Sequence, residues 1–280
     1  MLRSLISGIS GLKSFQKQMD VIGNNIANVN TTGFKSSKIS FADNLSQKVG
    51  SSGGGEYVNQ IGSGVDAANI LNKWNDGGYK RTDAPQDLAI SGNGFFVVSD
   101  PNTGEQYVTR AGEFIVDKEG YLSTPSGQRV QGFNNMDLDT VGDLRIDVQE
   151  KPEGAAADAA IKSFAIGNDG KINLFLSDGT NYTRGQVLLQ DIKSTGTLTK
   201  EGNNLFGNWK NAGPLDWNED PGVPGAGGVG QVASGMVELS NVELANEFSS
   251  MITTQRAYQA SARVISTSDE MLQELVNLKR

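Results

Sequence analysis

The chain has 280 residues, a formal net charge of −8, 35 glycines and seven prolines, and it contains neither cysteine nor histidine. The missing cysteines exclude a disulfide frame and a thiolate metal site; with the missing histidines they remove the commonest general base, the usual zinc ligands and every Cys or His nucleophile system. An acidic chain also lacks the clustered Lys and Arg that hold nucleic-acid phosphates.

From Ser4 to about Val29 the apolar period is helical. Leu5, Leu12, Met19 and Ile26 stand seven apart, flanked by Leu2, Ile9, Phe15, Ile22 and Val29. Such a repeat keeps a stripe on one side of a helix, and the stripe stays wet until another helix covers it. Gly8, Gly11 and Gly23 each weaken that helix by roughly 1 kcal/mol relative to Ala, so ordering on assembly is expected. Gly33 is the expected stop, because glycine takes the left-handed conformation that ends a helix. An extended piece follows from Phe34 to about Asn44, and Ser51-Ser52-Gly53-Gly54-Gly55 reads as a linker, lacking the Gly-Lys-Ser/Thr of a phosphate loop.

Strand patterns then come in quick succession: Asp87–Ile90, Phe95–Ser99, Tyr107–Arg110, Glu113–Asp117, Tyr121–Ser123 and Val130–Phe133, an antiparallel meander or small barrel. Asn93-Gly94 and Glu119-Gly120 supply turn chemistry between them. A second group runs over Asp143–Val148, Ser163–Ile166, Ile172–Leu176 and Gly185–Ile192, with a soft loop over 154–160. Residues 200–235 are Gly- and Asn-rich, and no structure is assigned to 221–230. After Ser240, which can cap with Glu243, a long helix is expected. Met236 to Arg280 holds neither Gly nor Pro, and Leu244, Met251, Tyr258, Ile265 and Leu272 again stand seven apart, flanked by Phe248, Ile252, Ala262 and Val276.

The expected fold is mainly β with long terminal α-helices. Residues 1–33 and 236–280 form a discontinuous helical coiled-coil domain, 34–75 an extended connector and 76–235 a β-rich body. That body divides into 76–140 and 141–200, with a Gly-rich return over 200–235. Charge follows the same division, at about +4 over the first forty residues, −10 in the middle and −2 over the last 45.

Chemical motifs have bland readings. Gly92-Asn93-Gly94-Phe95-Phe96 lacks the third glycine of a dinucleotide fingerprint, where Val97 stands, and reads as a tight turn. Asp216, Asn218 and Asp220 begin with calcium-loop spacing, but Gly227 occupies the position of the bidentate Glu. Ser126, Asp117 and Glu119 have no orienting partner visible in sequence. No catalytic, cofactor-binding or metal-ligating residue is therefore assigned. No run of eighteen apolar residues exists, and the first ten residues lack the h-region of a secretory signal, so a different exit route is expected if the protein leaves the cell.

The informative segment is Gly23 to Lys35. Four Asn within seven residues propagate a helix poorly, and their amides suit hydrogen bonds to backbone or neighbouring subunits. Asn24, Asn25, Asn28, Gly33, Phe34 and Lys35, together with "SGNGFF" at 91–96 and the ending from "SNVEL" through "TQRAYQASARVISTSDEMLQELVNLKR", resemble the bacterial flagellar rod and hook protein family. The resemblance spans both termini and the first β region.

It implies a homopolymeric subunit of a hollow helical tube, its terminal helices packed inside and its β domains outside. It also implies export through the flagellar type III gate without a cleaved signal, and partners among neighbouring rod, hook-filament junction and cap proteins. "SFADNL" at 40–45 and the terminal "LVNLKR" look more like a short hook protein, the flexible universal joint; the distal rod subunit, a rigid drive shaft, is the alternative. Phe41 and Leu45 resemble the apolar pair that early flagellar substrates offer to the export gate, against an ordinary strand edge. Outside the family stand a secreted coiled-coil adhesin or effector and a carbohydrate-active β enzyme, whose converging carboxylates no pattern reveals.

Overall fold

The computed structural model describes residues 2–52, 57–147, 159–214 and 222–278. It is mainly β, with antiparallel sheets and two α-helices, and divides into two compact units. One comprises Met1–Val29, Lys35–Lys73 and Val242–Arg280, the other Asn30–Phe34 and Trp74–Asn241. The linker glycines 53–55, the acidic positions Asp216, Asn218 and Asp220, and most of the 154–160 loop lie outside the described residues.

In the first unit α1 spans Leu2–Ala27 and α2 spans Leu244–Leu278. A Cβ on Gly8 would meet Ile265 and one on Gly11 would meet Ser261, while Asn25 bonds Glu247, so the helices run antiparallel. The expected connector holds four strands. β1 (Ser37–Asp43) pairs with β4 (Val65–Asn72), and nested within them β2 (Gln47–Ser52) pairs with β3 (Tyr57–Ile61). Serines tie this ribbon to α1: Ser14 donates to the Val65 carbonyl at 3.2 Å, and the Val65 N–H donates to Ser10 Oγ at 3.3 Å.

The second unit begins with β5 (Tyr79–Arg81), β6 (Leu88–Ser91), β7 (Phe95–Ser99), β8 (Gln106–Thr109), β9 (Ile115–Val116), β10 (Leu122–Ser123) and β11 (Arg129–Phe133). It continues through β12 (Val141–Asp143), β13 (Ile161–Ile166), β14 (Lys171–Leu176), β15 (Asn181–Val187) and β16 (Leu189–Gln190). The last strands are β17 (Thr199–Gly202), β18 (Leu205–Gly207), β19 (Gln231–Ser234) and β20 (Met236–Glu238). The main sheet runs in the order β13, β14, β15, β11, β7, β8, β18, β17. At its centre β7 is buried on both faces, as a strand with two covered sides must be. Phe96 and Val98 join one core cluster, Phe95 and Val97 the other.

Within the Gly-rich return, β17 and β18 form a hairpin across Asn203 and Asn204, whose φ values of 49° and 57° give the left-handed turn that matches strand twist. Two expectations change. The strand expected over 143–148 lies earlier, at 141–143. And α2 begins at Leu244, so Ser240 is not its cap. The chain is held short of the helix: the Leu239 N–H donates to the Gly78 carbonyl, the Asn241 N–H to that of Phe34, and Asn241 Nδ2 to that of Asn75.

Candidate assembly surfaces

The line where α1 meets α2 is built from small and polar residues. Gly8, Gly11, Ser14, Ile22 and Asn25 are buried on α1, and Thr254 and Ser268 are buried on α2. The glycines set how close the helices come, because side-chain size at the contact fixes interaxial distance. A Cβ on Gly8 would stand 3.0 Å from Ile265 Cγ1, and one on Gly11 would stand 3.2 Å from Ser261 Oγ. In sequence these glycines register as helix weakeners; the small-xx-small spacing is the signal for a close seam.

The seven-residue apolar columns flank that seam. Leu5, Leu12, Met19 and Ile26 are half-buried, as are Met251, Tyr258, Ile265 and Leu272, while Leu244 is exposed. Ile265 alone among them is placed against a seam glycine. Ile6 and Ile9 on α1, and Phe248, Ile252, Val264, Met271, Leu275 and Leu278 on α2, leave large apolar side chains in solvent.

Asn25 is only 1% exposed. Its Nδ2 donates to the Ser37 carbonyl at 2.9 Å, its Oδ1 accepts the Ser37 N–H at 2.9 Å, and Nδ2 also reaches Glu247 Oε1 at 3.2 Å. One amide thus clamps the start of β1 to both helices. Asn28 Nδ2 donates to the Asn24 carbonyl and Oδ1 at 2.9 and 3.0 Å, adding to the bond that the same carbonyl accepts from the Asn28 N–H at 3.2 Å. Lys35 is fully buried in the same unit.

Gly33 and Phe34 belong to the second unit. Gly33 has a φ of 67°, its N–H donates to the Glu238 carbonyl at 2.8 Å, and a Cβ there would come within 2.6 Å of the Ala111 nitrogen. Glycine is required for conformation and for space. Phe34 is buried beneath the Lys200 ammonium, 4.7 Å from the ring centroid. Burial lowers the Lys200 pKa below the ordinary lysine value. Nearby Arg110, itself buried, lies 3.5 Å from the fully buried Glu238 and donates to the Gly92 carbonyl at 2.9 Å.

Phe41 sits in β1 with its ring in an edge-to-face contact with Phe15, centroids 6.1 Å apart, whereas Leu45, beyond the strand, is 85% exposed. Ser126 and Glu119 lie on the surface of the β unit; Glu119 faces Arg129 at 3.5 Å. A cleft of about 500 Å³ presents Glu105, Tyr107, Glu201 and Trp209. Hydrogen bonding to Glu105 raises the Tyr107 hydroxyl above its usual pKa. Among the described residues no group of carboxylates could hold a metal ion, and no helix is long and apolar enough to cross a membrane.

Terminal helices paired across the length of a β-rich chain, with apolar faces left over, are the outline of a subunit that packs against copies or relatives of itself. Three family models match the chain in that order: "Flagella basal body rod protein" over residues 5–35, "Flagellar hook protein FlgE/F/G D1 domain" over 89–174, and "Flagellar basal body rod FlgEFG protein C-terminal" over 233–278. The flagellar basal-body rod protein FlgG of Bacillus subtilis is 41% identical over 286 residues, covering 100% of both chains. FlgG of Caulobacter vibrioides is 33% identical over 288 residues, covering 99% of this chain and 100% of its own. The flagellar hook protein FlgE of Borreliella burgdorferi is 25% identical over 447 residues, covering 100% of both. The chain belongs to the flagellar rod and hook protein family, structural proteins of the bacterial flagellum.

Proposed function

We propose that this chain polymerises into a hollow axial tube of the flagellum, and that the segment it builds is the distal rod rather than the hook. The observation that carries the assembly reading is the set of large apolar side chains that α1 and α2 leave in solvent, from Ile6 to Leu278. Contiguous exposed apolar surface marks an interaction site, and helices from many copies, packed as a coiled-coil inner layer, would cover it. The half-buried columns Leu5, Leu12, Met19 and Ile26, and Met251, Tyr258, Ile265 and Leu272 with exposed Leu244, are the proposed contacts.

The choice of rod rests on length. Rod relatives align end to end with this chain, whereas the hook relative needs 447 positions against 280 residues. A large part of that hook protein has no counterpart here. The hook-like endings at 40–45 and 275–280 are short beside an end-to-end relation, so the hook becomes the second reading. Partners would be neighbouring rod and hook proteins and the cap that guides growth, and the route out the flagellar export gate, with Phe41 and Leu45 as candidate recognition residues. The proposed role is structural, with no catalysis.

Concentrating the purified chain and imaging it by electron microscopy tests this. Straight, stiff tubes support the rod assignment, and curved, flexible tubes return it to the hook. A chain that stays monomeric at high concentration removes the assembly reading.

A further inference from the structure

The outer faces of the two terminal helices carry a matched charge pattern. On α1 the residues Ile6, Ile9, Lys13, Gln16 and Asp20 are all exposed. At roughly 100° per residue they share a face turned about 180° from the seam at Gly8 and Gly11. On α2 Arg263, Thr267 and Glu270 are exposed, and Arg263 and Glu270 likewise lie about 180° from the seam at Thr254, Ser261 and Ser268. Among the described residues none of Lys13, Asp20, Arg263 and Glu270 has an ion-pair partner.

Lys13 and Asp20 are seven residues apart with the positive charge first; Arg263 and Glu270 are also seven apart with the positive charge first. Two helices laid antiparallel therefore satisfy both pairs at once. Setting Lys13 opposite Glu270 sets Asp20 opposite Arg263. Ile6 and Ile9 then fall between the levels of Met271 and Leu278, two exposed apolar residues bordering the same α2 face. This register differs from the one inside a single chain, where Gly11 lies at Ser261 and Asn25 at Glu247. The difference is eleven residues, an axial displacement of about 16 Å at 1.5 Å per residue.

We propose that the outer face of α1 seats on the outer face of α2 of a second copy, antiparallel and in this register. The inference rests on the assembly reading and names the partner of that surface. Each copy offers one face and receives the other, both on the side opposite its own seam, so the contact is heterologous and propagates as an open assembly instead of closing into a dimer. Like charges four apart, Lys13 with Lys17 and Glu270 with Glu274, disfavour each isolated helix, and an oppositely charged neighbour relieves them.

The absence of cysteine makes the test clean. Gln16→Cys and Thr267→Cys are placed on separate copies, mixed, assembled and oxidised, since those positions face one another between the two charge pairs. Geometry for a disulfide requires Cα atoms within about 7 Å. Covalent dimers in assembled material, absent from dilute protein and absent when Gln259→Cys replaces Thr267→Cys, are expected. Polymers in which Gln16→Cys fails to link to Thr267→Cys, or links better to Gln259→Cys, overturn the register while leaving the assembly reading intact. Lys13→Glu should also raise the concentration needed for assembly severalfold, and adding Glu270→Lys should restore it; no change with Lys13→Glu, or no restoration, contradicts the pairing. Failure of the unaltered chain to polymerise removes both.

Discussion

Asn25 Nδ2 lies 3.2 Å from Glu247 Oε1, a hydrogen bond joining residues 222 positions apart. The same amide exchanges both its polar groups with the Ser37 backbone. Asn25→Ala strips partners from the N–H and C=O of half-buried Ser37, and an unsatisfied group costs about 1–3 kcal/mol when buried. Thermal unfolding of Asn25→Ala should fall accordingly, while Asn24→Ala, at an exposed position, stays close to the unaltered chain. Equal effects would show that Asn25 is not the clamp.

Gly33→Ala should be among the most damaging changes in the β unit. A left-handed φ costs a non-glycine residue of order 1 kcal/mol or more, and here the Cβ also meets the Ala111 nitrogen at 2.6 Å. Gly104 has a comparable φ of 71° with nothing within 4 Å of its Cβ. Gly104→Ala should therefore cost only about 1 kcal/mol. Denaturant midpoints for the two variants measure the difference, and similar midpoints would deny the close approach.

Removing one member of a buried ion pair strands the other, at about 3–5 kcal/mol. Arg110→Met leaves Glu238 fully buried without its guanidinium, so it should destabilise by that order, and adding Glu238→Gln should recover a large part. A double variant no better than Arg110→Met would mean that the pair is not coupled.

Phe248→Asp and Ile265→Asp separate assembly from folding of the helix pair. Phe248 is exposed in the single chain, so its replacement should change monomer stability by less than about 0.5 kcal/mol and still suppress polymerisation. Ile265 packs at Gly8, so its replacement should lower helicity by circular dichroism as well. Phe248→Asp forming normal polymers would take that face out of the interface.

Much of this was legible in sequence because the signals were local. β7 was read to the residue, since Asn93-Gly94 marks its start and Phe95 to Val98 an apolar run buried on both sides. The terminal helices were legible from their period. The close seam between them was not: it runs where Gly8 and Gly11 meet Ile265 and Ser261, with the apolar columns half-buried beside it. Hydrophobic size predicts burial against solvent, not closeness between two backbones. The ribbon over 37–72 was hidden because Ile70 and Leu71, adjacent and both exposed, break the alternation of a half-buried strand. Long-range pairings such as β8 with β18 leave no local trace at all.

Double replacement of Phe41 and Leu45 by Ala tests the export proposal. Secreted protein should fall while the amount inside the cell stays near normal. Leu45 is almost fully exposed and Phe41 only edges Phe15, so stability should change little. Unchanged secretion would leave both residues as parts of an ordinary strand and its exit.

The proposed assembly product of this chain is the distal rod. Basal bodies purified from cells lacking it, imaged by electron microscopy, decide the matter most directly. Rods that stop short, with neither outer rod segment nor hook, are the predicted result; complete rods lacking only the hook would contradict it.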